Sequence, residues 1–536
     1  MNGHGGELAM AALSSYGVAE IFTLSGGHIF PFYDACVKQE LAIYDVRHEQ
    51  TATFAAEGMA KMTRRPGAAV LTAGPGVTNG VSAMTTASFN GSPLVVLAGR
   101  APQNRWGAGS LQELDHVPIV GPVMKSAATV GSTADIPKVV GSAVATAMTP
   151  HRGPVFVDFP LDVLFGTATD VEVEEAVKPR GVPPEPSDVD IATSLVRSAA
   201  RPCLVAGSDV YWDGAWDALR ACVEALRVPC FANGLGRGCL PADHELAFSR
   251  TRSMLKEADV VVVVGTPLDF RLSFGRFGSA RVIHIVDAVD NRAGLVPDAV
   301  SVAGDISSTL EGIIAQGGPL VSREPWISTL RDRERSARSA ESDLLTSAAE
   351  PIHPARVYGE LAQRLSRNAV VVGDGGDFVS WAGRLIDSYQ PGCWMDPGPY
   401  GCLGTGLGYA MAARIAHPDR QVVLMLGDGA AGFSLLDVDS LVRHGLPVVM
   451  VVGNNGIWGL EKHPMKALYG YDVAADLQPE CRYDDVVAAL GGAGELVRRV
   501  DEVGPALDRA FASGVPYLVN VVLDPDVVYP RTSNLA

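Results

Sequence analysis

The run Leu426-Gly427-Asp428-Gly429-Ala430 follows an apolar stretch and is answered by Asn454-Asn455, with 26 residues between Asp428 and Asn455. Those 26 residues have a helical period and then turn into the β-branched run Pro447-Val448-Val449-Met450-Val451-Val452. The order strand, Gly-Asp-Gly, helix, strand, Asn-Asn predicts a βαβ unit with Asp428 and Asn455 at one edge of a parallel sheet, the edge where ligands bind. Two hard oxygen ligands, a backbone carbonyl and a diphosphate complete an octahedral Mg²⁺ site. The glycines around Asp428 let main-chain amides approach a phosphate at a helix N-terminus. The plainer alternative is an α/β crossover with a polar turn.

A second chemistry-bearing run, Arg47-His48-Glu49-Gln50, ends a strand at 41–46 and opens an Ala- and Gly-rich helix. A carboxylate in that place is either a cap or a catalytic group. Downstream, Thr72-Ala73-Gly74-Pro75-Gly76-Val77-Thr78-Asn79-Gly80 is a rigid turn entering a helix. The elements around these runs fall into three α/β blocks. The first alternates short strands at 21–24, 68–72, 93–97 and 155–158 with helices. Residues 171–188 are acidic and proline-rich and read as a linker. The second block carries five consecutive valines, Val260 to Val264, which suit a strand buried on both faces of a parallel sheet. The charged stretch 322–350 reads as a surface helix leading to the third block. Blocks one and three share a plan that hints at duplication.

At 536 residues the chain needs more than one core. A formal charge of −17 argues against nucleic acid or an anionic membrane as partner, though local basic pockets survive under it. The eight cysteines show no CxxC and no ligand-like spacing, and neither a signal peptide nor a membrane span is visible. A cytoplasmic protein with reduced cysteines and a small-molecule substrate is the expectation.

Taken together, the Gly-Asp-Gly to Asn-Asn spacing, the Arg47-His48-Glu49 run and the Gly74-Pro75-Gly76-x-x-Asn79 turn resemble the thiamine-diphosphate (ThDP) enzymes of the acetolactate synthase and decarboxylase group. The resemblance covers the whole chain. It implies an α/β fold of three doubly wound parallel-sheet domains: a pyrimidine-binding domain over 1–172, a Rossmann-like central domain over 186–322 and a diphosphate-binding domain over 350–536. It implies a site built between two subunits, hence a homo-oligomer of at least a dimer and in the family a tetramer. Glu49 would hold N1′ of the aminopyrimidine and favour the imino tautomer. Pro75 and Asn79 would lie along the cofactor, and Leu403 would prop it into a bent shape, although that position alone reads as a core leucine. Asp428, Asn455 and the carbonyl of Ile457 would hold Mg²⁺, and Gly376, Asp377, Gly429 and Ala430 would face the diphosphate.

Several runs look more like 2-hydroxyacyl-CoA lyases and oxalyl-CoA decarboxylases: Leu403 to Ala410, Gly432 to Asp437, Leu441 to Pro447 and Arg252 to Leu255. The reaction they imply is reversible cleavage of a short 2-hydroxyacyl-CoA to formyl-CoA and an aldehyde or ketone. Condensation of two pyruvates by an acetolactate synthase is the alternative, and a silent ThDP-binding partner subunit the third reading. By the same resemblance Glu461 would move the substrate hydroxyl proton; it also reads as a solvated pair with Lys462. Leu111, Trp458 and Leu460 would bound the acyl group. Gln112 and His28 would lie near the reacting carbonyl, or serve as a structural amide and a structural histidine. Arg250, Arg252 and Arg271 would hold CoA or ADP phosphates in the central block, with FAD as the other candidate there, or be scattered surface arginines. The tail, 530–536, would close over bound CoA.

Overall fold

A computed structural model describes every residue except 178, 180, 290–295, 297 and 531–536. The expected closure by the tail therefore falls almost wholly outside the described residues. Three parallel sheets form the frame. In spatial order the first is Ala42–Asp45, Glu20–Thr23, Gly67–Leu71, Leu94–Arg100, Val155–Pro160 and Ser126–Thr129. The third is Trp394–Met395, Val370–Asp374, Val422–Gly427, Val449–Asn454, Tyr517–Val522 and Ala493–Val497. Numbered along the chain within each sheet, both follow the order 2-1-3-4-6-5. The shared plan of blocks one and three is thus a shared topology. The central sheet runs Cys230–Ala232, Pro202–Ala206, Val260–Val264, Arg281–Val286 and Val300–Ala303. The five-valine strand lies in its middle and is buried throughout, as a strand covered on both faces requires.

Two sequence boundaries move. The linker yields to a helix earlier than expected, at Pro186–Ser198, because Pro186 suits a first helical turn. The charged stretch is one helix, Glu324–Leu345. Its Glu341 turns back to Arg250 at 3.1 Å and to Arg384 at 2.6 Å, so it links the central and third domains.

The first and third domains meet through the helices Glu49–Thr63 and Thr405–Ala416. Small residues set their separation. A Cβ placed on Gly408 would lie 2.7 Å from the Phe54 Cβ and 2.9 Å from the Ala55 nitrogen, and one on Gly58 would lie 2.9 Å from the Ala412 Cβ. Across this seam the Tyr409 hydroxyl donates to Glu57 at 2.7 Å and accepts from Lys61 at 2.8 Å, Lys61 being paired with Glu57 on the same helix at 2.9 Å. Among the described residues no helix is long and apolar enough to cross a membrane. All eight cysteines are unpaired.

Candidate active site

In a doubly wound sheet the crevice opens where the strand order reverses, between the first and third strands along the chain. In the third domain that place lies between Val370–Asp374 and Val422–Gly427, so the loops starting at Asp374 and Asp428 face each other there. Asp428 opens the helix Asp428–Ser434 and is buried. Its Oδ1 accepts from the Gly429 N–H at 2.9 Å and its Oδ2 from the Gly456 N–H at 2.6 Å, which ties together the ends of two neighbouring strands. Burial pushes its carboxyl up to about 6 against the pull of those two amides, and nearby Asp377 adds repulsion. Asn455 follows the strand Val449–Asn454, which ends one residue before it. Its Nδ2 donates to Asp377 Oδ2 at 3.4 Å, and its Oδ1 accepts from the Ile457 N–H at 3.3 Å. The first asparagine of the pair, Asn454, does other work. Its amide donates to Asn520 Oδ1 and the Cys481 carbonyl, both at 3.0 Å, and so braces the strand.

The two buried carboxylates, Asp377 and Asp428, and the amide oxygen of Asn455 form a donor set that suits a hard divalent cation. Room for an anion adjoins it. Side chains at Gly376 and Gly427 would meet nothing within 4 Å, while one at Gly375 would strike Leu403 Cδ2 at 2.9 Å and the Ala430 Cβ at 2.8 Å. Leu403 therefore stands over the Gly375 loop, next to Ala430. The Trp458 ring closes against Gly429, 2.5 Å from where a Cβ would be. Leu460 and Glu461 lie on the first turn of the next helix, Gly459–Tyr469, the leucine half-buried and the glutamate exposed. Lys462 pairs with Asp472 at 3.4 Å and with Asp476 across the turn.

Asp374 went unnoticed in the sequence. It accepts from the Gly404 N–H at 3.1 Å and the Gly406 N–H at 2.9 Å, so it carries the loop that presents Leu403. Burial pushes its carboxyl up to about 7 despite those amides. The signal was available: Gly373-Asp374-Gly375 repeats the Gly427-Asp428-Gly429 signature one sheet strand away.

In the first domain the equivalent crevice lies between Glu20–Thr23 and Gly67–Leu71. It holds the loop Gly26-Gly27-His28 and the Gly74-Pro75 turn. Glu49 is the first residue of its helix and buried. Its Oε2 accepts from Asn79 Nδ2 at 3.0 Å, and Oε1 lies 3.7 Å from a Cβ built on Gly76, so the turn lies beside the carboxylate. A cleft of about 770 Å³ opens there, lined by His28, Thr72, Arg105, Leu111, Gln112 and Phe165 among others. Leu111 is 78% exposed at its mouth. Burial lowers the pKa of His28, and a bond to the Leu111 backbone resists this. The two domains are stitched at this level: Gln50 donates to the Leu403 carbonyl at 3.1 Å, and Asp437 accepts from the Arg47 N–H at 2.6 Å and the Thr51 hydroxyl at 2.5 Å.

The three central arginines do not form one phosphate cluster. Arg250 is held by Glu341 at 3.1 Å and Asp387 at 2.6 Å. Arg271 is forked onto its own neighbour Asp269 at 2.7 Å and lines a separate recess. Arg252 shares a cavity of about 120 Å³ with Arg250 and has one buried guanidinium nitrogen without a hydrogen-bond partner. Spacing along the chain showed the positive charges but not Glu341 and Asp387, which the fold brings onto Arg250.

Comparison with known proteins agrees with this geometry. The family described as thiamine pyrophosphate enzyme, N-terminal TPP binding domain, matches residues 3–119; its central domain matches 189–313 and its C-terminal TPP binding domain 374–521. A probable acetolactate synthase of Mycobacterium bovis is 53% identical over 538 residues, covering 99% of this chain and 98% of that protein. A 2-hydroxyacyl-CoA lyase 2 of Homo sapiens is 34% identical over 569 residues, covering 97% and 90%. The Mus musculus protein of that name is 35% identical over 542 residues, covering 92% and 85%.

Proposed function

The chain belongs to the thiamine pyrophosphate enzymes, and on that premise we propose that it joins two 2-keto acids in the manner of an acetolactate synthase. One observation carries the choice of reaction: 53% identity, end to end, with a protein named for that activity, against 34% and 35% with the two lyases. The commitment of Arg250 and Arg271 to carboxylates of the same chain agrees, since both were candidates for holding CoA phosphates. The preference drawn from short runs of sequence, cleavage of 2-hydroxyacyl-CoA, becomes the second reading. It keeps the end-to-end lyase similarity and the exposed Glu461 beside the Leu460 and Trp458 wall in its favour.

When bound, ThDP supplies a carbon nucleophile and an electron sink for breaking and making bonds next to a carbonyl. In this reading Glu49, steadied by Asn79, holds the proton balance of the aminopyrimidine ring. Asp428, Asn455 and the Ile457 carbonyl hold Mg²⁺, and the amides at Gly376, Asp377, Gly429 and Ala430 take the diphosphate. Leu403, which stands over the Gly375 loop, would pack against the cofactor. Leu111 and Gln112 face the substrate from the 770 Å³ cleft.

The two half-sites are proposed to be completed by a second copy. Large apolar side chains stand bare beside both of them: Phe30 and Leu111 on one, Phe433 and Leu436 on the other, the last 66% exposed. Clustered exposure of this kind marks an interaction surface. A homodimer, and from it a tetramer, covers it.

The deciding assay supplies ThDP, Mg²⁺ and either pyruvate or 2-hydroxyisobutyryl-CoA. Acetolactate from the first with no formyl-CoA from the second is the expected result. Formyl-CoA alone reverses the assignment, and a flavin absorption band in the purified protein favours the synthase.

A further inference from the structure

His116 lies outside every run that pointed to chemistry, yet it is 0% exposed and links the two parts of the first-domain cleft. Its Nε2 is 2.9 Å from the Gly74 main-chain N–H, and its Nδ1 is 2.9 Å from Asp158 Oδ2. A backbone N–H only donates, so Nε2 must offer a lone pair. The ring proton then sits on Nδ1 and is donated to Asp158. The geometry thus selects one neutral tautomer. Asp158 is itself held by Arg100 at 3.0 Å, and Arg100 reaches Asp115, the residue before His116, at 2.9 Å.

What this chain of bonds holds is specific. Gly74 has φ +60° and ψ −112°, and a Cβ there would come 2.9 Å from the Gln112 Cβ and 3.3 Å from its Cα and carbonyl oxygen. Gln112 is in the left-handed region at φ +58°, an uncommon place for a glutamine. The turn and the loop 109–116 are therefore pressed backbone to backbone, and the His116–Gly74 bond is a direct hydrogen bond between them.

We propose that His116 is a positioning residue that keeps the loop bearing Leu111 and Gln112 in register with the Gly74-Pro75 turn beside Glu49. The proposal rests on the reading of this cleft as the substrate side of a ThDP site. Losing the Gly74 bond would let the loop shift and misplace Gln112, while the Asn79–Glu49 bond on the far side of the turn stays intact.

The test uses the holoenzyme and three substitutions. His116→Leu removes both bonds. His116→Asn can still reach Asp158 but is too short to reach Gly74. His116→Gln can accept from Gly74 and donate to Asp158 together. Wild-type turnover on pyruvate or 2-hydroxyacyl-CoA is established first, so that failure of the functional reading shows before any variant is made. The expected result is a loss in kcat/KM of about ten-fold or more for Leu and Asn, with Gln within about three-fold of wild type. Exchange of the C2 hydrogen of bound ThDP in D₂O, which needs no substrate and reports Glu49, should stay near wild type in all three. If His116→Leu does not fold, the Asn and Gln variants decide the question by themselves. Equal kcat/KM for Asn and Gln would overturn the proposal, as would C2 exchange falling in step with kcat/KM.

Discussion

Glu49, Asp374 and Asp428 are buried carboxylates whose neighbours give them different work. Glu49 accepts one hydrogen bond from Asn79, at Oε2, so its other oxygen can exchange a hydrogen bond with a ligand. Glu49→Gln should lower kcat by roughly 10²–10⁴-fold, the usual loss for a general acid–base group, with an unchanged circular dichroism spectrum; near-normal turnover would take Glu49 out of the chemistry. Asp374 is occupied by two main-chain amides and serves the Leu403 loop. Its carboxyl is raised to about 7 from an ordinary 3.8, with burial the leading cause. The folded chain therefore holds a proton there that the unfolded chain has already released. Between about pH 4 and 7 the folded state binds more protons, so this group's contribution to stability falls as pH rises and levels off above about 7. Melting temperatures measured from pH 5 to 8 should decline more steeply in the wild type than in Asp374→Asn. Parallel curves would mean that Asp374 titrates elsewhere.

Among the elements, the helix pair Glu49–Thr63 and Thr405–Ala416 matters most, because one opens with Glu49 and the other follows Leu403. Their closeness depends on glycine. An ordinary Gly→Ala change inside a helix gains about 1 kcal/mol. At Gly408 the added methyl would meet Phe54 and the Ala55 and Thr51 backbone at 2.7–3.0 Å, and overpacking of that kind costs about 1–3 kcal/mol. Gly408→Ala should therefore lower the melting temperature and weaken ThDP affinity, since the Gln50–Leu403 bond spans the same seam. A stabilised variant would show that the helices can part without cost. The sequence singled out Asn455 for the crevice but gave no sign of Asn454's part, because its bonds to Asn520 and the Cys481 carbonyl come from segments distant along the chain.

Across the whole molecule, two sheets of the same strand order each put a crevice at the same switch point, one offering a carboxylate and a turn, the other Asp428, Asn455 and the glycine-framed loops proposed to take a cation and a phosphate. The proposed dimer joins crevices from different chains. Mixing Glu49→Gln with Asp428→Ala tests this directly. Each variant alone should be inactive, the second through loss of Mg²⁺-dependent ThDP binding. A mixed dimer would contain one site with both substitutions and one with neither, so random exchange of subunits should restore about a quarter of wild-type activity. No recovery would place both carboxylates in one chain's site.

The linear chain by itself determined the α/β class, the three blocks, the buried five-valine strand and the glycine-framed residues Glu49, Gly74-Pro75, Asp428 and Asn455. These are legible because each depends on local backbone needs, such as a strand end, a turn with positive φ or a helix start. Tertiary structure alone decided the rest: that Asp374 carries the Leu403 loop, that Arg250 is neutralised by Glu341 and Asp387, and that His116 joins a turn to a loop 42 residues away. Such roles come from partners distant along the chain. Burial then sets what each charge must pair with, and no pattern of neighbours in sequence encodes that.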